Sequence, residues 1–167
     1  MTTPRLAFLS LGTALTLFGC SSSTGTDPDF IACEVGQLRI EGDIDGTPVS
    51  LSQSTGGSGF AQSGDSGEFW TSDPFADGTR VDLTIDWAPS IVDGSTAKVT
   101  TATLVMPTQP STVPFAGQTF AAGTGSMIRI PNQSENVADL QFNLTALTSG
   151  TQAHAGTLRG CWRSSNH

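Results

Sequence analysis

The chain has 167 residues, enough for one domain of ordinary size and hardly for two. Seven basic residues stand against fifteen acidic ones, a net charge of −8 with no cluster of Lys or Arg, which excludes a surface built to neutralise a nucleic-acid backbone or to grip anionic lipid headgroups. Hydrophobic residues make up 37%, and with 19 glycines added the apolar share is that of a folding domain rather than of a disordered one.

The first element is a targeting segment. Arg5 lies in a short n-region, an apolar stretch runs from Leu6 to Phe18, and Gly19-Cys20 follows. That stretch is shorter than the roughly 20 residues needed to span a bilayer core, so it reads as a cleaved signal peptide rather than as a membrane helix. Leu17-Phe18-Gly19-Cys20 resembles the lipobox of bacterial lipoproteins, although Phe18 stands where that family has a small residue. The resemblance implies that residues 1–19 are removed and that Cys20 becomes the lipidated first residue of the mature chain. Ser21, in place of the aspartate of the family's inner-membrane retention rule, implies the outer membrane. Residues 20–30 then form a polar, flexible tether, and loss of Arg5 takes the net charge from −8 to −9. The expected location is the cell envelope, with the bilayer as partner through the lipid.

Residues 31–167 are expected to fold as an all-β domain. Leu38, Ile40, Gly42 and Ile44 alternate with Arg39, Glu41, Asp43 and Asp45, Asp45-Gly46 supplies a turn, and Val49 and Leu51 resume the alternation, so residues 37–52 are predicted to form a hairpin. Residues 53–67 hold little core material besides Phe60 and are expected to form a long loop, with Phe69-Trp70 exposed beside it. Val81 to Trp87 and Ala138 to Ala146 alternate cleanly and are predicted strands. Thr96 to Met106 is rich in β-branched residues without clean alternation, and Met127 to Ile130 and Gly156 to Arg163 read as shorter strands. No mature window has helical periodicity. The pattern predicts one antiparallel β-sandwich, with a small calycin-like barrel as the alternative. The Asp-Gly hairpin and the closing strand around Gly156-Thr157-Leu158-Arg159-Gly160 resemble the ends of uncharacterised β-sandwich lipoproteins, a likeness that brings no activity with it.

Cys33 and Cys161 remain once Cys20 is assigned to lipid. Export places them in an oxidising compartment, and a disulfide between them is expected, closing nearly the whole domain into a loop. Neither C-x₂-C nor H-x₃-H spacing is present to argue for zinc.

Several motifs imitate chemistry. Gly64-Asp65-Ser66-Gly67 is similar to the nucleophile segment of trypsin-like proteases, but the histidines, His154 and His167, lie downstream rather than upstream of the serine. Glu41 to Gly46 imitates the start of an EF-hand loop, yet its twelfth position is Ser52. His154 reads as a solvated loop residue. Asn132-Gln133-Ser134 and Asn143-Leu144-Thr145 fit a glycosylation sequon by coincidence of composition. Of the three tryptophans, Trp87 and Trp162 fall on apolar faces and are expected in the core. Phe69 and Trp70 are left as the candidate ligand contacts, with a stacked glycan or an envelope protein as partner. No catalytic residue, metal or cofactor is implied. The expectation is a non-enzymatic, membrane-tethered binding or structural module. A glycan-acting hydrolase with paired carboxylates and an apolar-ligand-binding barrel stand as alternatives.

Overall fold

A computed structural model describes residues 30–71, 78–130 and 139–165, which contain ten strands and no helix. In chain order these are β1 (Gln37–Ile44), β2 (Thr47–Ser54), β3 (Ser58–Ser63), β4 (Ser66–Thr71), β5 (Asp82–Ala88), β6 (Thr96–Val105), β7 (Thr119–Arg129), β8 (Asp139–Ser149), β9 (Gln152–His154) and β10 (Leu158–Arg163). The expected all-β antiparallel architecture is present as one continuous sheet, ordered β2-β1-β10-β8-β7-β6-β5-β4-β3, with β9 paired to β8. The sheet curls so that its inner walls face each other across a single core. Phe60 of β3 and Phe69 of β4 pack against Trp162 of β10, ring centroids 5.9 and 5.5 Å apart.

Alternation decides what enters that core. Leu38, Ile40 and Ile44 of β1, Leu83, Ile85 and Trp87 of β5, and Leu140, Phe142 and Leu144 of β8 are all buried, as a period of two requires. The interior is filled by large side chains: Trp87, Phe69, Phe120 and Phe142 are each under 2% exposed. In β6 the alternation slips because the pairing with β5 shifts between Asp86 and Trp87, leaving Thr100 and Thr101 both exposed. The same slip blurs the period of that segment in the sequence.

The hairpin predicted over residues 37–52 is β1–β2, turning on Asp45 and Gly46, both at positive φ. The loop predicted over residues 53–67 is instead mostly a second hairpin, β3–β4, with Gly64-Asp65 as its two-residue turn. Two inward positions hide it from a hydrophobic-pattern reading. Gln62 points inward with its amide bonded to the backbone of Ile91, at 2.9 Å to its C=O and 2.6 Å from its N–H. Gly67 points inward because the Trp87 indole occupies the space where a side chain would lie.

The disulfide joins Cys33 to Cys161, Cα atoms 5.6 Å apart. Leu158, Gly160 and Trp162 are the inward residues of β10, so Cys161 belongs to its outer side. It is nevertheless fully buried, since Cys33 of the segment leading to β1 is bonded to it and is buried with Phe30; its register partner Gln141 is buried too.

Candidate functional site

The outer side of β3, β4 and β5 carries the exposed tryptophan. Phe69 and Trp70 cannot share a face on a strand, and only one of the two candidate contacts survives: Phe69 is 0% exposed and belongs to the core, whereas Trp70 points outward and is 37% exposed. The other tryptophans, Trp87 at 1% and Trp162 at 4%, are in the core as expected. Trp70 pairs with Gly59 on β3 and Thr84 on β5. Its indole lies across Gly59, so close that a methyl group there would come within 3.2 Å of the ring. The glycine leaves room for the ring over the edge strand.

Two positions along β4, Glu68 stands between Ala61 of β3 and Asp86 of β5. Directly opposed residues on antiparallel strands have Cβ atoms about 4.5–5.5 Å apart, and like charges in that relation are destabilising. The Asp86 carboxylate is steadied by the Thr101 hydroxyl, which donates to it at 2.6 Å. Around the pair is a shallow depression of about 410 Å³ bordered by Ala61, Ser63, Ser66 and Thr100. Trp70 does not line that depression, but it stands on the same outer face, two residues along β4 from Glu68. That surface can stack on a flat or cationic group and accept hydrogen bonds from hydroxyl or ammonium donors. Glu68 and Asp86 stand at outward positions of their strands in the sequence, but nothing short of the β4–β5 register places them together.

The remaining candidates have structural partners. His154 is not a solvated loop residue: it lies in β9 with its side chain 7% exposed and its Nδ1 2.7 Å from Asp45 Oδ2. The other Asp45 oxygen accepts the Ala155 N–H at 2.8 Å. Those two hydrogen bonds, the His154 one first, hold the Asp45 carboxyl below the usual carboxylate range. Together they tie the β1–β2 turn to the chain entering β10. The other acids of the EF-hand-like run are also engaged, Glu41 by Arg39 and Asp43 by the Gly46 N–H at 3.3 Å. Among the described residues no three His, Cys, Asp or Glu side chains converge as a metal site. Ser66, the serine of the protease-like segment, closes the β3–β4 turn, and its hydroxyl donates to the Ser63 carbonyl at 3.4 Å. Asn143 is in β8 and accepts the Ser126 N–H through its side chain at 3.1 Å. Cys20 with its signal segment, the tether as far as Asp29, the Asn132 sequon, Ala138 and His167 lie outside the described residues, whereas Phe30, the last tether residue, is buried.

No family model, curated protein or solved structure matches the chain.

Proposed function

We propose that the chain is an exported, lipid-anchored binding module of the cell envelope, held at the membrane through Cys20 and presenting the Trp70 face of β3–β5 to its ligand. The observation that carries this reading is the exposure of Trp70 on a filled, disulfide-closed domain whose other tryptophans are buried. An outward indole on the same strand face as a carboxylate offers a partner a plane to stack on and an acceptor beside it. The lipobox-like sequence supplies the attachment, since two or more acyl chains, each contributing about 0.8 kcal/mol per buried CH₂, hold stably where one does not.

The test has two parts. Fractionation of cells making the full chain should place it in the membrane pellet, and Cys20→Ser should release it; a wild-type protein found free of lipid overturns the anchor. Binding of the purified protein to isolated envelope material should fall on Trp70→Ala without a change in melting temperature; unchanged binding overturns the ligand face. The cross-strand pair Glu68 and Asp86 favours one second reading, a glycan-cleaving enzyme that uses both carboxyl groups. Release of reducing ends from envelope glycans, abolished by Glu68→Gln and by Asp86→Asn, would establish it, and its absence would leave the binding module.

A further inference from the structure

Among the described residues β2 and β3 form the two ends of the strand order, and the three-residue β9 is likewise paired on one side only, with β8. Sheet edges invite pairing with another chain, and proteins blunt them with proline, charge or bulges. In β2, Pro48 removes a donor. In β3 there is no such device: Ser58–Ser63, SGFAQS, has no charge and no proline, and it pairs with β4 without a bulge.

Hairpin geometry identifies the unused groups. A two-residue turn at Gly64-Asp65 makes Ser63 and Ser66 a hydrogen-bonded pair, and alternation makes Ala61–Glu68 and Gly59–Trp70 the next two. The N–H and C=O of Phe60 and Gln62 therefore point away from β4. Among the described residues no turn or loop backbone group takes them up, whereas the N–H of Ser58 is already donated to the Thr55 carbonyl at 3.0 Å.

What borders that edge selects its occupant. On the outer side Gly59, Ala61 and Ser63 are all small, so side chains of an added strand reach across β3 to β4. Strands are spaced about 4.8 Å apart, which puts β4 about 10 Å from the added strand, within the joint reach of a Lys or Arg and a Glu. Behind Ala61 stands Glu68, and over Gly59 leans the Trp70 indole. None of β2, β3 and β4 contains a Lys or Arg. Of the cations near that edge, Arg129, whose guanidinium lies 5.7 Å from the Phe60 ring centre, is neutralised by Asp93 at 2.8 Å, and Arg80 donates to the Gly56 carbonyl and the Ser54 hydroxyl at the Ser58 end, away from Ala61.

We infer that the β3 edge is a docking strand for an extended, basic segment of a partner protein, which continues the sheet through Phe60 and Gln62 while its outward cations meet Glu68 and Trp70. This rests on the reading of the Trp70 face as the ligand face, and it names the ligand's chemical class. A second copy of the chain fits less well, because its own β3 supplies no cation and it carries the same net charge of −8.

The test uses the purified protein with a blocked peptide of four Lys-Val repeats as probe, an equal Glu-Val peptide, and a Lys-Val peptide N-methylated at alternate amides. Saturable binding of Lys-Val, at least about tenfold tighter than Glu-Val at low salt, is expected, weakening as salt screens the charges. The amides of Phe60 and Gln62 should gain protection from hydrogen exchange. N-methylation should abolish binding, Ala61→Lys should abolish it by placing an ammonium on Glu68, and Trp70→Ala should weaken it about 2- to 5-fold. Equal binding of Glu-Val, or no saturable binding of Lys-Val, overturns the inference. Self-association that Ala61→Lys removes also overturns it, by giving the edge to a second copy. If the Trp70 fluorescence answers to a soluble peptidoglycan fragment while the Phe60 and Gln62 amides stay unprotected, the edge inference fails and the ligand face stands. If Trp70 answers to no probe, both fall.

Discussion

Replacing both Cys33 and Cys161 by alanine removes a crosslink between residues 128 apart in sequence. In the chain-entropy treatment, freeing a loop of that length returns about 5 kcal/mol of conformational freedom to the unfolded ensemble. The native state loses little, because six register pairs from Gln37↔Arg163 to Gly42↔Leu158 still hold β1 to β10 without the sulfurs. The destabilisation is thus assigned to the unfolded chain. For a domain of this size about 5 kcal/mol corresponds to a fall in melting temperature of about 15 °C or more. Thermal unfolding followed by circular dichroism, with wild type and double variant compared under the same conditions, measures it directly. Two further signatures follow from the same cause. The urea m-value should rise, since a chain without the crosslink exposes more surface on unfolding, and the native amide spectrum should change only near residues 30–36 and β10. A fall of less than about 4 °C, or a spectrum altered throughout the sheet, would show that the crosslink does not act through the unfolded chain.

Other perturbations separate packing from electrostatics. Gly160 faces inward beneath its register partner Phe142, whose ring fills the site of a side chain, so Gly160→Ala should cost about 1–3 kcal/mol, read as a lower urea midpoint. Asp45 has a folded-state value below the ordinary 3.8, so its contribution is present above that pH and is lost as pH falls through the lowered value. Urea midpoints of Asp45→Asn should therefore lie below wild type at about pH 6 and converge with it near about pH 2. Asp139 has the opposite sign. Burial pushes its carboxyl up, the Arg163 guanidinium pulling part of the shift back, so its ionised form opposes folding above the raised value. Asp139→Asn should match or exceed wild-type stability at about pH 7, with the difference shrinking towards pH 3.

The strands with uninterrupted alternation were legible in the sequence because hydrophobic identity and inward direction coincide in them. Leu83, Ile85 and Trp87 needed no knowledge of their neighbours, and the Asp45-Gly46 turn announced the first hairpin. The β3–β4 hairpin was hidden where direction and polarity part company. Gln62 is polar and inward since Ile91 satisfies its amide, and Gly67 is inward without a side chain since Trp87 fills its place. The adjacency of Phe69 and Trp70 suggested one exposed aromatic pair, and a strand assignment splits it into a core residue and a surface residue. His154 looked solvated because its partner Asp45 is 109 residues away. The pairing of Glu68 with Asp86 depends on a register that neither strand encodes alone.

Site-specific photo-crosslinking in intact cells tests the placement of the ligand face most directly. A benzophenone side chain at Thr84, next to Trp70 on the outer side of β5, is compared with one at Ser50, exposed on β2 near the opposite end of the strand order. An adduct is expected from position 84, suppressed by Trp70→Ala, with none from position 50. An adduct from position 50 alone, or one from position 84 indifferent to Trp70, would contradict that placement.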